Sequence, residues 1–162
     1  MALDWTILIF IAICFTAAAS GGIFRAGAWY QDLKKPSWRP PGYLFGPVWL
    51  VLYIMIAVSA WRAWMVAEPG AETLPVAVFV LNMVLNAAWS ALFFGMRRLG
   101  LALVDMGALW LSIVAMIALY LPIDPLAGWL LVPYLAWVSF AFVLNMTMQR
   151  LNPASHFLGV TQ

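Results

Sequence analysis

Residues 99–121 read LGLALVDMGALWLSIVAMIALYL, a run of twenty-three residues with one charge, Asp105. Crossing a hydrocarbon core of ~30 Å at ~1.5 Å per residue takes about 20 apolar residues, so this stretch reads as a transmembrane helix. Five segments pass the same test, at about 3–24, 44–66, 74–95, 99–121 and 126–148. The breaks between them hold a proline-rich stretch, Glu68-Pro69-Gly70, Arg97-Arg98 and Pro122-Ile123-Asp124-Pro125. The composition agrees: 66% of the 162 residues are hydrophobic and 9% charged, against about 25% charged in a soluble domain. The mean hydropathy is +0.97. So few charges cannot clothe a water-facing surface. The expected fold is all-α, a single domain over 1–162 built as an integral membrane bundle of five transmembrane helices, with a tail at 149–162. Ala17-Ala18-Ala19 imitates a signal cleavage site, but Asp4 stands where a basic leader region belongs. The first segment is therefore read as a retained helix, and three short connections make consecutive helices antiparallel neighbours.

Charge sets the orientation. With five spans, one side collects Arg25, Lys34, Lys35, Arg39, Arg97, Arg98 and Arg150, while the other holds Asp4, Glu68, Glu72 and Asp124. Arg62 sits about a turn inside the second helix, where it is free to snorkel. Short loops rich in Lys and Arg stay cytoplasmic, which puts the N-terminus outside and the C-terminus inside. A net charge of +2 gives no footing for nucleic acid. The single cysteine, Cys14, lies in an apolar run and reads as a small buried hydrophobe. His156 is alone in the tail, so no metal site is expected.

Polar and aromatic side chains recur at helical spacing inside the spans. Asn82, Asn86, Trp89 and Phe93 share one face of the third. Trp49, Tyr53 and Ile56 line up on the second, and Tyr134, Trp137, Ala141, Asn145 and Met148 on the fifth. Asp105 is the acid expected deepest. Asn86 lies roughly 13 Å below the cytoplasmic end of its helix, and Trp137 is comparably deep. Trp5, Trp61, Trp64 and Trp129 fit a belt at the headgroups; the mid-depth group does not. Two readings stand for it: asparagines bonding across packed helices, or an aromatic pocket opening toward the cytoplasmic half.

Between the first two spans lies Lys34–Leu44, KKPSWRPPGYL. Pro36, Pro40 and Pro41 stiffen it, and Trp29, Tyr30 and Trp38 add rigid apolar area. It reads either as a surface anchor or as a lid over the mouth of such a pocket, with Trp29, Trp38, Arg39 and Pro41 in the lid. Its bases, Lys34, Lys35 and Arg39, suit lipid headgroups or the carboxylates of an amphipathic ligand. Ala87, Ala91 and Gly95 recur every fourth residue, a small-residue stripe that lets helices approach closely. It serves packing within the bundle or a homodimer interface.

Lys35-Pro36-Ser37-Trp38-Arg39-Pro40-Pro41 resembles the KPxWxPP signature of the TspO/translocator protein family, the tryptophan-rich sensory proteins of bacteria and the peripheral benzodiazepine receptor of mitochondria. The likeness continues through Phe45 to Tyr53, Asn86-Ala87-Ala88-Trp89, Phe93-Phe94-Gly95, Ala102-Leu103-Val104-Asp105, Pro133 to Trp137 and Leu144-Asn145. It implies a commonly dimeric five-helix bundle whose first loop closes a pocket for porphyrins, haem-type tetrapyrroles and benzodiazepine-site ligands. The porphyrin is then a ligand, with no obligatory cofactor. Family positions lining the ligand fall on Tyr30, Pro40, Trp49, Tyr53, Asn86, Trp89, Trp137 and Ala141; Phe93 joins them from the face drawn above. Animal members add a sterol motif near the C-terminus. Here Met146 replaces its tyrosine, which puts sterol binding in doubt.

Three functions compete: a receptor, sensor or carrier for tetrapyrroles; a light-dependent porphyrin-degrading enzyme; a transporter of tetrapyrroles or sterol-like lipids. Stacking of a macrocycle on indoles favours the first, its propionates meeting the Asn86 amide or the loop bases. The resemblance alone carries the second, through Trp49, since the sequence holds no hydrolytic set, metal cluster or nucleotide loop. Inverted repeats and broken mid-membrane helices would mark the third, and neither is seen.

Overall fold

The computed structural model describes residues 5–24 and 26–153. The expectations on residue 3 as a helix start, and on Asp4, Arg25, His156 and the tail from 154 onward, lie outside them. All secondary structure among the described residues is helical: α1 (Ile7–Ile23), α2 (Ala28–Asp32), α3 (Phe45–Val66), α4 (Thr73–Ser90), α5 (Leu99–Tyr120), α6 (Pro125–Leu130) and α7 (Val132–Leu151). Four helical stretches are long and apolar enough to cross a membrane: Gly42–Val66, Thr73–Gly95, Leu99–Tyr120 and Pro125–Leu151. At 17 residues, α1 is apolar but shorter, at the lower limit for a span. Leu8, Leu50, Val51, Leu81, Val84, Val104 and Leu111 all point outward. A water-soluble monomer rarely exposes so much contiguous apolar surface, whereas a bilayer calls for it.

Local chemistry sets three features of these helices. The helix expected over 126–148 is broken at Leu131, because Pro133 has no N–H to donate to the carbonyl of Trp129 four residues back. Asp124 starts α6 by accepting from the Leu126 N–H at 3.0 Å. The third apolar segment ends in a π turn, Ala91–Gly95. There Met96 N–H reaches Ala91 O, Arg98 N–H reaches Leu92 O, and Arg97 takes φ 57° to close the turn.

The bundle is a ring rather than a meander. α1 packs on both α3 and α4, which touch each other only lightly. α4 packs on α5, α5 on α6 and α7, and α6 closes the ring against α3. Consecutive α3 and α4 thus meet over a smaller surface than each shares with α1, which packs against both. Alanines at 57, 60 and 63 are fully buried on α3, and at that close approach Ser59 Oγ donates to Ala127 O at 2.6 Å. Arg62, expected to snorkel, instead donates its Nε–H to Asp124 Oδ2 at 2.7 Å. Trp61, expected in a headgroup belt, is 8% exposed and donates to Thr6 Oγ1, fastening α3 to α1. Trp5 and Trp129 are exposed, as a belt requires.

The first loop, the α4–α5 turn and the end of α7 meet at one end of the bundle. Asn152 clasps Lys34 there, accepting from its N–H and donating to its carbonyl, both at 2.9 Å. Arg97 lies 5.9 Å from the Trp29 ring. That end carries Lys34, Lys35, Arg39, Arg97, Arg98 and Arg150, while Glu68, Glu72 and Asp124 lie at the other. Of the small-residue stripe, Ala87 packs on the main core. A Cβ on Gly95 would stand 2.7 Å from Phe24 Cδ1, so this glycine serves the approach of Phe24 within the chain.

Candidate functional site

A cavity of about 470 Å³ opens inside the ring at the first-loop end. α1, α3, α4, α5 and α7 wall it with the halves nearest that loop, and α2 adds Tyr30. Of the residues picked out in the sequence, Tyr30, Trp49, Tyr53, Asn86, Trp89, Phe93, Trp137 and Ala141 line it, and so does Arg39. Pro40 does not reach the wall. Trp29 lies beside it, edge-on to Phe93 at 6.3 Å, and Trp38 packs edge-on against Phe140 at 5.8 Å. Pro41 lies on the exposed side of the loop.

The wall is a mosaic of rings. Trp49 lies over Tyr53 at 5.5 Å and 31°, Trp89 over Phe93 at 5.0 Å and 31°, and Trp137 over Phe140 at 5.6 Å and 34°. Tilted, offset stacks of this kind are favourable for quadrupolar rings and leave indole faces for a guest. Phe94 joins Phe93 at the wall, their ring centroids 4.8 Å apart within the π turn. From α1 come Phe15, Ala18 and Gly21, and from α5 Met106 and Leu109. Sequence reading missed these five. They carry no polar atom, so nothing distinguished them from lipid-facing residues.

Polar groups form the floor. Tyr53 OH donates to Asn86 Oδ1 at 2.6 Å; Asn86 Nδ2 donates to Tyr134 OH at 2.9 Å. Tyr134 OH donates to Asn82 Oδ1 at 3.2 Å, Asn82 Nδ2 to Ser112 Oγ at 2.7 Å, and Ser112 to Leu109 O at 2.7 Å. Every donor points the same way, so each bond polarises the next. The mid-depth group thus divides between cross-helix bonding and an aromatic cavity at the first-loop end. The asparagines at 82 and 86 tie α3, α4, α5 and α7 together, and the indoles surround a space. Asn86 already serves two tyrosines and is poorly placed to serve propionates as well. Asp105 is only half-buried and lies off the cavity wall, and among the described residues the acid most removed from solvent is Asp124, at 7% exposure.

Tyr134→Phe removes the hub of this chain, stranding an Asn86 N–H and the Asn82 carbonyl. Interhelical hydrogen bonds in membranes average about 0.6 kcal/mol, and stranded buried groups cost more. The expected loss is about 1–2 kcal/mol, read as a lower unfolding midpoint in detergent. An unchanged midpoint would mean the chain does not hold the helices.

Over the mouth, Arg39 donates to Tyr30 OH at 3.1 Å. Lys35 Nζ donates to the carbonyls of Gln31 and Leu33 and lies 4.8 Å from the Tyr30 ring centroid. Desolvation, then the charge of Arg39, draws the Lys35 ammonium below its ordinary pKa. Leu33 plugs into a second apolar cluster with Phe93, Leu99, Leu144 and Met148. Sequence reading missed Asn152, the clasp on Lys34, since an asparagine at a helix end reads as an ordinary terminator. No cluster that could hold a metal ion occurs among the described residues.

The profile of the TspO/MBR family matches residues 10–151. Protein CrtK of Rhodobacter capsulatus is 40% identical over 146 residues, covering 90% of this chain and 91% of its own. The tryptophan-rich protein TspO of Chlorobaculum tepidum is 39% identical over 155 residues, 91% and 96% of the two chains. The human translocator protein is 37% identical over 153 residues, 87% and 89%.

Proposed function

The chain belongs to the TspO/MBR family and is an integral membrane protein, and on that premise we propose that it is a receptor or sensor holding a flat aromatic tetrapyrrole such as protoporphyrin. The observation that carries this reading is the cavity itself. At about 470 Å³ it falls within the range that holds a small organic ligand, and its indole faces suit a planar macrocycle. Benzodiazepine-site ligands, also flat and aromatic, would compete for the same walls. In this reading the first loop is the lid. Tyr30 and Arg39 close over the guest, and the Asn152 clasp and the Leu33 plug hold the loop in place. α1 is the fifth span, short but apolar, and the basic end faces the cytoplasm.

Titrating protoporphyrin IX into the protein in lipid nanodiscs should quench tryptophan fluorescence saturably at one guest per chain. Synthetic benzodiazepine-site ligands should reverse the quenching. Quenching that rises linearly with no plateau, as in empty nanodiscs, would reduce the interaction to partitioning into lipid and end this reading.

A further inference from the structure

Both polar atoms of each floor asparagine are hydrogen-bonded, and one carboxamide on the wall has neither bonded. Asn145 lies on α7, lines the cavity and is 2% exposed. Neither its Oδ1 nor its Nδ2 has a hydrogen-bond partner among the described residues. The indole N–H groups of Trp137 and Trp89 are buried and unpartnered in the same way. Trp137, Ala141 and Asn145 follow one another at four-residue steps on one face of α7, and the small Ala141 leaves room between the two polar groups. Buried polar side chains with no partner are rare, because each costs the desolvation of its own atoms. Three around one cavity point to a guest that completes them.

Resting on the tetrapyrrole reading above, we propose that Asn145 selects the polar rim of the guest and takes a neutral group with a donor beside an acceptor, a primary amide or an un-ionised carboxyl. The chemistry of the carboxamide dictates this. Its Oδ1 needs a donor and its Nδ2 an acceptor, so its full complement carries both on adjacent atoms, forming a closed pair of hydrogen bonds. An ionised carboxylate offers acceptors only, so it satisfies the Nδ2 side and leaves Oδ1 without a donor. The indole N–H groups of Trp137 and Trp89 supply donors to further acceptor oxygens. Asn145 is thus a specificity-determining contact, whereas Asn86 holds the floor.

The test compares protoporphyrin IX, its bis-amide and its dimethyl ester on full-length protein in nanodiscs. The ester keeps the acceptor and loses the donor. Wild-type protein should bind the bis-amide roughly fivefold to tenfold tighter than the ester, the worth of one net hydrogen bond. Asn145→Leu should bring the two within about twofold by weakening the amide alone. It should leave the unfolding midpoint of the ligand-free protein unchanged or raised. Asn145→Ser gives the same comparison should the leucine variant not fold. A gap that persists in the variant, an amide no better than the ester in wild type, or a variant much less stable without ligand would overturn the role of Asn145 while leaving the cavity a tetrapyrrole site. Failure of all three compounds to saturate wild-type protein would overturn the tetrapyrrole reading, and this inference with it.

Discussion

Replacing Trp49 and Trp137 together by alanine is expected to weaken protoporphyrin binding by roughly two orders of magnitude, since each ring stacked on an aromatic side chain is worth about 1–3 kcal/mol by truncation. The two indoles come from different helices and are held in place by their neighbours. Trp49 is set between Tyr53 at 5.5 Å and Tyr134 at 6.2 Å. Trp137 lies between Phe45 at 5.5 Å and Phe140 at 5.6 Å. A preset ring loses little conformational freedom when a guest arrives, and its contact area converts to affinity more fully. Trp49→Phe with Trp137→Phe keeps an aromatic face but less of it, and the loss should fall to roughly tenfold. Equilibrium fluorescence titration measures both, and circular dichroism checks that the helices persist. Wild-type affinity in the double alanine variant would mean that the guest, if bound, lies elsewhere.

At the other end of the bundle, Asp124→Ala should cost about 3 kcal/mol, or roughly 6–12 °C in the unfolding midpoint. One carboxylate does two things there. Its Oδ1 caps α6 through the Leu126 N–H at 3.0 Å, worth about 1 kcal/mol. Its Oδ2 holds Arg62 at 2.7 Å, with the acid's side chain 9% and the arginine's 25% exposed. Removing one member of a well-buried pair costs about 3–5 kcal/mol, and partial exposure of the guanidinium reduces that to about 2 kcal/mol. Asp124→Asn separates the two effects, because asparagine caps as well as aspartate but does not pair with Arg62. It should lose about two-thirds of the alanine effect. Equal losses in both variants would assign the whole effect to charge, and none in either would make the contact decorative.

Much of this protein is legible in its sequence. Apolar runs of more than twenty residues admit one solution in lipid, since a backbone without water must bond to itself. That alone fixes helices, and it located the bounds of α3 and α5 to within a residue. Helical periodicity then placed Trp49, Tyr53, Asn86, Trp89, Phe93, Trp137 and Ala141 on inward faces, and all of them line one cavity. Pro40 came from the likeness to the family's signature and stands off the wall. What periodicity does not contain is which inward face meets which. It assigned Asn86 and Asn145 the same character, yet the first is spent on Tyr53 and Tyr134 and the second is left without a partner. It also read Arg62 and Trp61 as surface groups, where each fastens two segments more than fifty residues apart.

Local sequence thus determined most of the helices and the inward faces of α3, α4 and α7, because propensity and hydropathy act within a few residues. The ring order with α1 between α3 and α4, the space left at its centre, and the division of polar groups between bonded and unbonded belong to the tertiary structure. Those depend on how side chains from distant segments fill or fail to fill shared volume, a property of the packed whole that no single helix carries.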